Sequence, residues 1–257
     1  MELTHFSLFS GIGGIDLASE WAGFKTVGQC EFAHFPTKVL EKHWPDVPRW
    51  KDVRQLSVES IRERGIGEIT LLSGGFPCQP HSLAGKRKSS ADERDLWPEY
   101  RRLIGEIKPR WVLAENVSGL LTSESGQFFR NILRDFAELG YDVGWCTLRA
   151  SWAGAVHRRE RIFVVAHANG IRLQGGVHQA WEKQKISNNL NEKHFSHLLE
   201  RISENELSKS CSVGANDGIP NLLDRIKCLG NSVVPQEIYI IVKVIYDLEQ
   251  FTNPIGE

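Results

Sequence analysis

With 257 residues, 41% hydrophobic and 25% charged, the chain suits one large α/β domain, or one domain with a small appendage, and its composition excludes a disordered one. A net charge of −1 and a pI near 6.8 argue against a large non-specific electrostatic attraction to nucleic acid, although a local basic cleft is compatible with a neutral whole. No apolar stretch reaches bilayer-spanning length and the first nine residues lack a signal-peptide pattern, so no membrane association and a cytoplasmic location are expected.

In chain order, residues 5–9 are an apolar run that ends at Ser10-Gly11-Ile12-Gly13-Gly14 and opens a helical pattern through Ile15, Leu17, Ala18, Trp21 and Ala22. This reads as strand, glycine turn, helix. A second strand is expected at 26–30, ending at Glu31, followed by a helix at 36–43. A third, short strand precedes or includes Asp52-Val53. A fourth covers 69–73 and runs into Gly74-Gly75-Phe76-Pro77-Cys78. Residues 85–95 read as a mobile polar loop carrying Lys86-Arg87-Lys88. Then come a helix over 96–107, a strand over 111–114 ending at Glu115-Asn116, and an amphipathic helix over 128–139. Strands at 141–148 and 161–166 complete the series. Residues 169–217 are polar and weakly periodic, and a last helix runs over 235–251 with Ile238, Ile241, Val242, Ile245 and Leu248 on one face.

Strands alternating with helices imply a mostly parallel twisted sheet covered on both faces, a Rossmann-like α/β fold. Such folds bind ligands outside the carboxyl ends of their strands, where the unusual clusters fall. The glycine turn lets the backbone approach a ligand, but its spacing is not that of a dinucleotide site. Glu31 could accept from ribose hydroxyls and Asp52 from an adenine amino group. Together the three strand ends describe a nucleoside pocket.

The five cysteines are scattered, odd in number and never in a C-x-x-C pair, which argues against a disulfide framework or a zinc site; no metal is expected. Cys78 differs from the others because Pro77 and Pro80 stiffen its loop at a strand end. A thiol needs activation or a very electrophilic target, and a strand-end loop is a place for either. Glu115, at another strand end, could hydrogen-bond or protonate a ring nitrogen, or else cap the next helix. In His157-Arg158-Arg159-Glu160-Arg161, alternation places Arg159 and Arg161 on one side, suited to phosphate or carboxylate or to a solvated turn.

In this order, Gly74-Gly75-Phe76-Pro77-Cys78-Gln79-Pro80, Glu115-Asn116-Val117, Arg159-x-Arg161 and Gly230-Asn231-Ser232-Val233-Val234-Pro235 resemble the DNA (cytosine-5) methyltransferase family in its short bacterial or phage form. The resemblance spans residues 3–167 and 229–245. It implies a class I AdoMet-dependent methyltransferase domain (1–167 and 226–257; AdoMet is S-adenosylmethionine) and a small target-recognition region (168–225). By position, Phe9, Ser10, Gly11, Ile12 and Gly14 would line the AdoMet pocket, Glu31 would hold the ribose, Phe32 would pack on adenine, and Asp52 and Val53 would read its edge. Pro77, Leu96, Asn231 and Val233 would complete it. Cys78 would be the nucleophile on carbon 6 of a flipped cytosine, Glu115 would act on ring nitrogen 3, and Arg159 and Arg161 would steady the base and its phosphates.

Three departures from the family stand out: His157 replaces a usual Gln, the ninth motif is not recognisable ahead of Gly230, and the recognition region is short. The partner implied is double-stranded DNA, acted on by a monomer, with any cognate restriction endonuclease separate. An enzyme acting on transfer-RNA cytosine, and a non-catalytic DNA-binding family member, are the alternative readings.

Overall fold

A computed structural model describes residues 2–77, 95–153, 159–168, 228, 229 and 231–252. The expected strands and helices in these segments are all present. They are β1 (Thr4–Leu8), α1 (Gly14–Ala22), β2 (Lys25–Cys30), α2 (His34–His43), β3 (Arg49–Trp50), α3 (Val58–Arg62), β4 (Leu71–Gly75), α4 (Trp97–Ile107), β5 (Trp111–Val117), α5 (Gln127–Glu138), β6 (Asp142–Arg149), β7 (Glu160–His167) and α6 (Pro235–Thr252). The third strand precedes Asp52-Val53 rather than including them. The short α3, closed by a Ser57–Ser60 capping box, is an element the periodicity does not announce. The loop at 85–94, the recognition region at 169–225 and the motif residues Cys78, Gln79, Pro80, His157 and Gly230 lie outside the described residues.

The seven strands form one sheet in the order β3-β2-β1-β4-β5-β7-β6. Strands β1 to β5 are parallel, and β7 is antiparallel to both β5 and β6. The chain therefore enters β7 at the same edge where the parallel strands end. That places Arg159 and Arg161 beside the ends of β4 and β5, although 42 or more residues separate them from Val117 in sequence.

Alternation along the strands builds two cores. On one face Phe6, Leu8, Leu72, Val112 and Ala114 pack with Tyr100, Leu103 and Phe136. On the other, Leu71, Trp111, Leu113, Phe163 and Val165 pack with α1 and with Ile238, Ile241, Val242 and Ile245 of α6. Central strands buried on both faces are near-continuously apolar, which is why 111–114 reads as a strand without alternation.

The last helix is also tied down by charge. Fully buried Glu249 accepts from Trp111 Nε1 at 2.6 Å and pairs with Arg110 at 2.8 Å. Removing one partner of a buried pair leaves the other uncompensated, so Glu249→Ala is expected to cost about 3–5 kcal/mol in chemical denaturation. A loss below about 1 kcal/mol would mean that apolar packing alone holds α6.

Candidate active site

The glycine turn after β1 is built for close approach. Gly11 and Gly13 have φ of +56° and +85°, in the left-handed region that favours glycine. A Cβ on Gly14 would lie 2.7 Å from the Val233 carbonyl oxygen, so the segment before α6 closes directly over the start of α1. Phe9, with φ +51°, holds a conformation unfavourable for a bulky residue, and its ring meets Tyr100 edge-on at 6.1 Å. Among the described residues no side chain hydrogen-bonds at the Gly13 N-cap of α1, and a helix N-terminus favours negative charge or an acceptor.

Glu31 faces this turn. Its carboxylate accepts from the backbone amides of Gly11 at 2.8 Å and Ala33 at 2.7 Å, fixing it at the end of β2. Next to it Phe32 is 63% exposed, a large aromatic ring left uncovered at a strand end, with Lys51 Nζ 5.9 Å from its centre. Asp52 is bound by Arg54 through both carboxylate oxygens, at 2.9 and 2.8 Å, and this pairing keeps its carboxyl below the ordinary range. The Val53 side chain is packed in the core, and its carbonyl accepts from Arg102 Nη2 at 3.0 Å. Pro77 and Leu96 border the same edge, both half-buried. Val233 is buried, and Asn231 is exposed. Ser10 Oγ is 2.6 Å from Ser7 Oγ, and half-buried Ile12 sits between the two left-handed glycines. An open turn, a fixed carboxylate and a bare ring suit a nucleoside with vicinal hydroxyls.

Beneath the turn lies a polar network that the sequence reading missed. Asp16, fully buried in α1, accepts from Ser7 Oγ at 2.8 Å and Gln29 Nε2 at 2.9 Å, and Gln29 in turn accepts from Arg49. Its other carboxylate oxygen has no hydrogen-bond partner among the described residues. Burial pushes its pKa from 3.8 up to about 6, against the two hydrogen bonds. The folded state thus holds the proton more tightly, and stability falls as pH rises from about 4 to 6. Above that window the ionised group costs roughly 3 kcal/mol. Asp16→Asn keeps the acceptor for Ser7 and Gln29, so it is expected to raise stability by about 1–3 kcal/mol at pH 8 and to have little effect at pH 4. Equal effects at both pH values in urea titrations would refute this account.

The second half of the site gathers at the ends of β4 and β5. Glu115 is buried, its Oε1 is 3.0 Å from Arg161 Nε, and a Cβ on Gly75 would lie 2.7 Å from its Oε2. Glycine at 75 is therefore required for the carboxylate to lie across the strand end that leads to Cys78. Burial raises the Glu115 pKa, while Arg161 and Arg159 pull it down. Arg159 precedes β7 with φ +24°, a strained backbone beside the acid it acts upon. Asn116 donates to the Phe76 carbonyl at 3.1 Å and anchors the turn into Pro77; its neighbour Glu115 draws attention away from it in the sequence. The described chain stops one residue short of Cys78. Burial pushes the Cys30 and Cys146 thiols up to about 12, so neither is a ready nucleophile. Among the described residues no group of His, Cys, Asp and Glu could hold a metal ion.

The mostly parallel seven-stranded sheet with helices on both faces is a Rossmann-like AdoMet methyltransferase fold. Within that class the chain belongs to the C-5 cytosine-specific DNA methylase family, whose model matches residues 3–217. Type II methyltransferase M.NgoMIV of Neisseria gonorrhoeae is 37% identical over 169 residues, covering 66% of this chain and 53% of that protein. Type II methyltransferase M.Sau96I of Staphylococcus aureus is 34% identical over 171 residues, covering 65% and 38%. Among solved structures, a candidate DNA modification methyltransferase encoded within an Escherichia coli prophage superposes with a TM-score of 0.57 at 27% identity, covering 65% of this chain and 47% of that one. The chain therefore spans about half or less of the length of these relatives.

Proposed function

We propose that this chain transfers a methyl group from AdoMet to carbon 5 of a cytosine flipped out of duplex DNA, with Cys78 as nucleophile. The observation that carries this reading is the buried Glu115 carboxylate, held by Arg161 and lying across Gly75, three residues before Cys78. A cytosine seated there would meet an acid at one ring edge and a thiol at the other.

AdoMet, bound over the glycine turn with its ribose on Glu31 and its adenine on Phe32, would supply an electrophilic methyl group. Phe9, Ser10, Gly11, Ile12 and Gly14 would line its pocket, with Asp52, Val53, Pro77, Leu96, Asn231 and Val233 around it. Carbon 5 of cytosine is a weak nucleophile. Addition of the Cys78 thiolate to carbon 6 converts it into an enamine, with the displaced electron pair drawn toward ring nitrogen 3. Glu115 stabilises that charge by holding or donating a proton there. After methylation, loss of the carbon-5 proton and departure of the Cys78 sulfur restore the aromatic ring. Arg159 and Arg161 fix Glu115 and steady the base. Flipping the base costs roughly a few kcal/mol, which contacts from the loop containing 81–94 would offset.

In this reading residues 1–167 and 226–257 form the catalytic unit and 168–225 recognise the target. The protein acts as a cytoplasmic monomer in DNA protection, with any cognate endonuclease a separate protein. The Type II names of its relatives support a restriction-modification setting. The test is transfer of labelled methyl from AdoMet to unmethylated duplex DNA and, in parallel, to tRNA. Label in duplex DNA is the expected result. Label in tRNA alone would replace DNA by RNA as substrate, and label in neither would leave a non-catalytic family member.

A further inference from the structure

A second acid is buried beside Glu115. Glu237 lies in the first turn of α6, is 2% exposed, and neither carboxylate oxygen has a hydrogen-bond partner among the described residues. An acid at this helical position ordinarily sits in water or reaches back to cap the helix. Here the flanking Val233, Ile238 and Ile241 pack with Leu148, Phe163 and Val165 on one face of the sheet, the face that Glu115, opposite Phe163, and Arg161 share by strand alternation. The groups whose charges act on it are Glu115 on β5 together with Arg161 and Arg159 at the start of β7. Cys146 on β6 also feels it. Two acids and two guanidinium groups thus act on one another in a buried setting, and among the described residues Glu115 is the one of the two acids that ion-pairs.

We propose that Glu237 is a positioning residue for the methyl-transfer reaction: as a second carboxylate facing the Arg159–Arg161 pair, it lets Glu115 keep the proton offered to the cytosine ring. The inference rests on the proposed role of Glu115. Without the Glu237 charge, the two arginines favour the ionised Glu115 against the burial that raises its pKa. When Glu237 is also ionised, their field is shared and the two carboxylates repel, so Glu115 gives up its proton less readily. Burial and the Glu115 charge push Glu237 up to about 7, so its effect is switched on above neutral pH and fades below it.

The test is the pH profile of kcat for methyl transfer to duplex DNA in wild type, Glu237→Gln and Glu115→Gln. In Glu237→Gln the alkaline limb is expected about one pH unit lower, so that the wild-type to variant ratio grows roughly tenfold across that limb, with KM for AdoMet little changed. A purely structural role would lower activity by the same factor at every pH, and parallel profiles would overturn the proposal. Full activity in Glu115→Gln would instead defeat the proposed function itself, which separates the two failures. Should Glu237→Gln not fold, carboxylate titration in ¹³C-glutamate-labelled protein decides the matter. Glu115→Gln is expected to lower the midpoint of one other buried glutamate by about one pH unit, and no such shift would refute the coupling.

Discussion

Replacing Cys78 by serine is expected to reduce methyl transfer by on the order of 10⁴-fold while leaving AdoMet binding within about threefold of wild type. A hydroxyl is far harder to ionise than a thiol at neutral pH, so the attack on carbon 6 fails and carbon 5 stays inert. Duplex DNA carrying 5-fluorocytosine is the direct readout. Fluorine cannot leave as the carbon-5 proton does, so wild type is expected to form an adduct that survives denaturing electrophoresis and the serine variant none. An adduct in the serine variant would move the nucleophile elsewhere. Among the described cysteines, Cys30 and Cys146 are poor substitutes because burial holds both thiols protonated.

Glu115→Gln is expected to lower kcat by about 10²–10³-fold. The amide preserves size and can still donate a hydrogen bond to the ring, but it cannot hand over a proton as charge develops. It also leaves Arg161 facing a neutral group in a buried setting, where the pair now measures 3.0 Å. Part of any loss is therefore structural, and thermal unfolding with and without AdoMet separates it from chemistry. A variant that folds, binds AdoMet and retains more than a tenth of wild-type kcat would remove Glu115 from the reaction.

The strand ends were the legible part of this molecule. Gly11 and Gly13 announce their turn because their left-handed conformations favour glycine, and Gly75 leaves room for the Glu115 carboxylate. Glu31 and Glu115 were recognisable as acids at strand ends, and their local settings follow from β2 and β5. The antiparallel course of β7 was not legible, because apolar periodicity carries no direction. Yet it is that reversal which delivers Arg161 to Glu115. Asp16 was hidden inside a helical pattern where one polar residue among apolar ones reads as solvated. Glu237 was hidden for the same reason, since an acid in a first helical turn has an ordinary explanation. The Trp111–Glu249 bond joins residues 138 apart and leaves no local trace. Packing of the Val53 side chain in the core, just after the short β3, was not legible either, because an apolar residue after a strand end has no local sign of its direction.

Methyl transfer to carbon 5 of cytosine in DNA leaves a distinct nucleoside. Unmethylated duplex DNA would be incubated with the protein and AdoMet, digested to nucleosides and analysed by mass spectrometry. 5-Methyldeoxycytidine is expected as the sole new nucleoside. The appearance of N4-methyldeoxycytidine or N6-methyldeoxyadenosine in its place would contradict it, since neither product needs a thiol at position 78 or an acid at position 115.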